Sequence, residues 1–135
     1  MSASLALQAA IKSVLEADSA LASVFVAAVK VYDDVPDEHA FPYIYYEVNA
    51  DNEWDTSTEI GWDCRPRIHV FAKGESSKFV REVQAAIYNA LHNTPPMLTG
   101  FNCVLLRVEG HQCFPEPDGQ VWHSLTSFRA LVEEN

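Results

Sequence analysis

Positive charge is what this chain has least of. Nine lysines and arginines stand against nineteen aspartates and glutamates, giving a formal net charge of -10 over 135 residues. A surface of that sign repels phosphate, so sequence-independent grip on a nucleic-acid backbone is excluded as the main activity. Glycine is scarce too, and the five glycines at 61, 74, 100, 110 and 119 are scattered, so no glycine-rich loop is available to cradle phosphate. Cys64, Cys103 and Cys113 are an odd number without close spacing. That excludes a disulfide framework and suits reduced thiols in a cytosolic setting. The longest uninterrupted apolar run, residues 24–29, falls far short of the roughly 20 residues of a bilayer-spanning helix. Met1-Ser2-Ala3-Ser4 lacks the basic and apolar order of a secretory leader, so none is expected. No Gly-x-Ser-x-Gly turn is present to hold a hydrolase nucleophile.

What the chain does have is a hydrophobic share of 48%, enough for one core and too little length for two. A single domain over residues 1–135 is expected. Leu7, Ile11, Val14 and Leu15 follow helical spacing, and Asp18 offers an N-cap for a second, shorter helix through Leu21 toward Phe25. Residues 29–32 read as a short strand and residues 43–49 as a longer one, with Ile44, Tyr46 and Val48 on one face and Tyr45, Glu47 and Asn49 on the other. Residues 50–60 are polar and read as a solvated hairpin tip or a flexible excursion. The return strand starts near Gly61, with Ile68, Val70 and Ala72 opposed to Arg67, His69 and Phe71, and Pro66 in it favours an edge or a bulge.

The strongest helix signal follows: Phe79, Val80, Val83, Ala86, Ile87, Ala90 and Leu91 make a broad apolar stripe, stopped by Pro95-Pro96. Two more strands, residues 102–114 with Val104, Leu106 and Val108 on one face and residues 120–133, flank the turn Pro115-Glu116-Pro117-Asp118-Gly119. The order predicts an α+β domain: a mostly antiparallel sheet of four to five strands with helices on one face. Tyr45, Phe71 and Trp122 are expected on the other face, whose aromatic, half-polar character suits a subunit interface.

The acidic, proline-stiffened corner Val31-Tyr32-Asp33-Asp34-Val35-Pro36 reads as a binding surface, because nothing in it carries chemistry. Trp54 stands among Asp51, Glu53 and Asp55, where a core role is awkward, and is expected to touch a partner. The candidate interface therefore comprises Asp33, Asp34, Pro36, Tyr45, Asp51, Glu53, Trp54, Asp55, Phe71 and Trp122. No catalytic residue, cofactor or metal is expected. An alternative is a metal-binding or enzymatic site where His111 and His123 face each other across the last hairpin beside Cys113, although no histidine pair has the one-turn separation of a helical zinc motif. A third reading is a host adaptor that takes up a peptide as an added strand at an edge near Pro66.

Taken together, Leu7, Ala10 and Ile11, the corner at residues 31–36, Phe41-Pro42-Tyr43, His69-Val70-Phe71, the helix at residues 83–91 with Ala86, Ile87, Tyr88 and Ala90, Pro117-Asp118-Gly119, Trp122-His123 and Phe128-Arg129-Ala130-Leu131 follow a pattern that covers nearly the whole chain. The chain resembles the tail-completion proteins of tailed phages and gene transfer agents, also called tail terminators or tail-to-head joining proteins. The resemblance implies a small α+β subunit without catalytic residues. It implies a ring, expected to be hexameric, that closes the head-proximal end of a tail tube and meets the tube protein and the head-completion or stopper protein. It places the protein at the head-tail junction of a particle, and in the host cytoplasm before assembly, with DNA passing through the lumen unbound. Another neck component, a stopper or adaptor, is the nearest alternative.

Overall fold

The computed structural model describes residues 2–26, 28–55, 60–74 and 76–135, without the side chains of residues 50 and 51. Helix α1 (Ala3–Ala17) begins where the Ser2 side chain accepts a hydrogen bond from the Leu5 amide. Its apolar spacing buries Ala3, Leu7, Ile11 and Leu15 on one stripe. Asp18 ends α1 and, as expected, caps α2 (Ser19–Phe25) by accepting from the Leu21 amide at 3.0 Å.

Strand β1 (Val31–Tyr32) pairs parallel with β2 (Tyr43–Glu53), which pairs antiparallel with β3 (Gly61–Lys73). Helix α3 (Lys78–Leu91) follows, then β4 (Phe101–Pro115) and β5 (Val121–Glu134). The five strands lie in the order β1-β2-β3-β5-β4, and an isolated antiparallel bridge joins Met97 to Asn102. The architecture is the expected α+β, with one parallel pair at the β1 edge of an otherwise antiparallel sheet.

One sheet face carries the core. Ile44, Tyr46, Ile68, Val70, Leu106, Phe128, Ala130 and Val132 meet Leu7, Ile11, Leu15, Val80, Val83, Ile87 and Leu91 from the helices. Each fully buried Val, Leu, Ile or Phe among these contributes about 1.5–3 kcal/mol by leaving water, so this layer, and not the strand hydrogen bonds, makes α1 and α3 stay. Among the described residues no helix is long and apolar enough to cross a membrane.

One local expectation narrows to its second alternative, the bulge at Pro66, and two change. Pro66 does not lie at an edge, because β3 is the middle strand; it stands opposite Val48, where β2 shifts register before Asp51. The missing proline amide is accommodated at this irregularity, and no edge exists there for an added peptide strand. Val104 does not share a face with Leu106 and Val108. The register of β4 against β5 slips between Cys103 and Leu105, which swings Val104 outward to 41% exposure and turns Cys103 inward. Trp122 pairs with Ala72 and packs against the core cluster, so it lies on the helix-covered face and not with Tyr45 and Phe71.

Candidate interaction surface

The face of the sheet away from the helices is built by the alternate residues of four strands. Cross-strand pairing sets Tyr43 beside Phe71, Phe71 beside His123 and His123 beside Phe114. Their rings make a continuous ladder: Tyr43 to Phe71 at 5.2 Å, Phe71 to His123 at 4.2 Å, and His123 to Phe114 at 4.7 Å between centroids. Tyr43 is also covered by the corner, since His39 and Phe41 stand 4.8 and 5.5 Å from its ring. The Phe41–Pro42 peptide bond here is cis. The acidic corner and the aromatic face, which read from sequence as two patches, are one continuous surface.

The corner itself is pinned. Asp33 accepts a hydrogen bond from Gln8 Nε2 of α1 at 3.0 Å, and the Pro36 carbonyl lies 3.1 Å from His39 Nδ1. Asp34 and Pro36 remain exposed. The Tyr45 ring lies tilted against His69 at 5.3 Å, and its hydroxyl donates to Glu47 Oε2 at 3.2 Å. Burial first, then the charge of Glu47 and its hydrogen bond, and the charges of Asp34 and Asp33, raise the Tyr45 phenol above its ordinary value.

A second row runs across the same face. His69 Nε2 lies 3.1 Å from Glu47 Oε1, His69 Nδ1 lies 2.8 Å from His123 Nε2, and His123 Nδ1 lies 2.8 Å from Glu116 Oε1. Burial would raise the Glu47 carboxyl, but hydrogen bonds from His69, Asn49 and Tyr45 and the attraction of His69 bring it below its ordinary value. His123 is lowered by burial and by His69, against the pull of Glu116.

Farther along the face stand four arginines in a chain of only nine basic residues. Arg107 of β4 lies directly opposite Arg129 of β5, and Arg65 and Arg67 occupy β3. Arg129 takes Asp63 in two-pronged fashion at 3.1 and 3.4 Å, and Arg65 reaches both Asp63 and Glu109. Arg67 stands 3.8 Å from Glu47. Arg107 is exposed and has no ion pair among the described residues. Like charges placed directly opposite each other on a sheet are unfavourable, so the Arg107–Arg129 pair is not explained by the stability of the isolated subunit.

The remaining expected residues fall as follows. Glu53 closes β2 and is exposed; the backbone of Asp51 belongs to the same strand, while its side chain lies outside the described residues. The expected excursion at residues 50–60 is shorter than anticipated, because β2 continues to Glu53, and residues 56–59 lie outside the described residues. Trp54 is half-buried, its amide donating to the Gly61 carbonyl at 2.7 Å, and Asp55 accepts from the Gly61 amide at 3.2 Å. The metal alternative does not stand: His111 pairs with Thr126 and lies near Tyr88 of α3, while His123 lies on the opposite face against Phe71. Among the described residues no three histidines, cysteines or carboxylates are grouped to hold a metal ion.

A model of the family described as tail completion protein gp17 matches residues 9–133. The chain belongs to this family. As a tail-completion protein it has a structural role in a phage-type tail. A solved chain from "Virion of native gene transfer agent (GTA) particle" is similar at 25% identity, covering 97% of this tail-completion protein and 98% of that chain with a TM-score of 0.81. No curated protein matches the sequence.

Sequence reading missed His69, Glu116 and the arginine group as members of one surface. His69 was visible as an outward residue of its strand, but its partners came from two other strands. Arg107 follows by alternation from Leu106 and Val108 as an outward residue, but its partner across the sheet, Arg129, comes from another strand.

Proposed function

We propose that this protein forms a ring, a hexamer, at the head-proximal end of a tail tube, where it stops tube growth and joins tail to head without catalysing a reaction. The observation that carries the reading is the near-complete match in length and fold to a chain of a gene transfer agent virion. Its partners are copies of itself, the tube protein and a head-completion or stopper protein, and DNA passes through the lumen unbound.

A ring of identical subunits needs heterologous contacts, in which two different patches of one chain meet. The arginine group and the acidic corner form such a pair: one is the concentration of cations in a chain of net charge -10, and the other presents exposed Asp34 beside Asp33. Tyr45, Phe71 and Pro36 lie along the path between them. Glu53, Trp54 and Asp55, at the far end of the β2–β3 hairpin, are further contacts of the proposed ring.

Electron microscopy of assembled particles and native mass spectrometry test the reading. Six copies at the head-tail junction are expected; a monomer absent from that junction overturns it. Deleting the gene separates the neighbouring role, since loss of a terminator gives overlong or headless tails whereas loss of a stopper gives leaking heads.

A further inference from the structure

Three contacts in a row join Glu47, His69, His123 and Glu116, and each needs a proton between its two atoms. Two ionised carboxylates supply none, and two neutral imidazoles supply one each. Two of the three contacts are then served, and the third, whichever tautomers are chosen, brings two lone pairs face to face. One further proton completes the row. We infer that the His69–His123 pair is a site for a single shared proton, which completes a row running from Glu47 of β2 to Glu116 of the β4–β5 turn.

The surroundings favour that occupancy. From β2, Glu47 faces the pair, with Tyr45 hydrogen-bonded to it and Tyr43 alongside; from β3, Arg67 reaches Glu47 at 3.8 Å; from the β4–β5 turn comes Glu116. The neighbouring rings, Phe71 and Phe114, are uncharged, and Asp33 and Asp34 of the corner act on Tyr45. The two histidine side chains are 13% and 12% exposed, so water does not readily replace a missing bond. His123, held low by burial and by the charge on His69, is the acceptor: His69 donates from Nδ1 to His123 and from Nε2 to Glu47, and His123 donates from Nδ1 to Glu116. A second proton places donor against donor and breaks the row from the acid side. The gap suits a proton and not a metal ion, since two nitrogens bound to one zinc at about 2.0–2.1 Å each stand roughly 3.3 Å apart.

The linkage has two arms. Unfolded histidines titrate near about 6.5, holding two protons below that pH and none above, while the folded pair keeps one. Stability therefore rises with pH on the acid side, where the unfolded chain binds more protons, and falls on the alkaline side, where the folded chain binds more. Urea unfolding of the full chain between pH 5 and 8 is expected to show a midpoint maximum near the ordinary histidine value. In His69→Gln the amide donates to His123 without titrating, so the alkaline fall disappears; an unchanged fall in that variant overturns the inference. Nitrogen-15 NMR of the native protein gives an independent reading. One proton still shared by the pair at a pH where free imidazole is neutral supports the shared site, and two rings that titrate separately at the ordinary value overturn it.

Discussion

Ser124 is fully buried on β5, and its hydroxyl has no hydrogen-bond partner among the described residues. An unsatisfied buried hydroxyl costs on the order of 1–3 kcal/mol in lost hydration. Ser124→Ala removes the oxygen at little cost in volume, and the unfolding free energy is expected to rise by about 1 kcal/mol in urea titration; a fall of that size shows an unseen partner. Cys103 illustrates the opposite case. Burial pushes its thiol up to about 11, so it behaves as a small apolar residue and not a nucleophile. At this scale the sequence was readable where one side chain decided its own surroundings, as with Asp18. It was not readable for His69 and His123, whose contact joins positions 54 residues apart.

The elements were legible because their periodicity reports directly on which face is buried. The α3 stripe and the alternation of Ile44, Tyr46 and Val48 stand as the pattern implies. The face of Val104 went wrong where β4 slips in register, and that of Trp122 because its pairing with Ala72 joins two strands distant in sequence. At the other end of the sheet, the β2–β3 hairpin closes on Gly61 packed under Trp54. A Cβ at Gly61 would collide with the Trp54 carbonyl oxygen and stand 2.9 Å from its ring carbon Cε3. The backbone atom has no rotamer to escape into, so Gly61→Ala is expected to cost about 1–3 kcal/mol. Trp54→Ala removes only a half-buried ring. Under the proposed ring assembly it weakens association more than folding, and a thermal midpoint that falls while association persists contradicts that expectation.

For the molecule as a whole, charge sets the terms on which copies meet. Under the proposed ring assembly, subunits of net charge -10 repel at long range, while the proposed contact between Arg107 and the Asp33–Asp34 corner of a neighbour attracts at short range. Salt separates the two, because the screening length shrinks from about 30 Å at 0.01 M to about 8 Å at 0.15 M. Long-range repulsion is lost over that interval, whereas a desolvated pair within a contact is screened much less. Association of the native chain is therefore expected to strengthen as salt rises through this range. Arg107→Glu keeps the repulsion, deepens it, and removes the attraction, so its association falls by a factor of about ten or more, the equivalent of 1.4 kcal/mol, and added salt restores it only in part. The reciprocal change Asp34→Arg on the same chain brings the pair back with its signs exchanged and restores association, as sedimentation of the single and double variants would register. If Arg107→Glu associates as well as the native chain, the arginines do not face a neighbouring subunit. If it associates normally but no longer retains DNA in assembled particles, the group meets phosphate in the lumen.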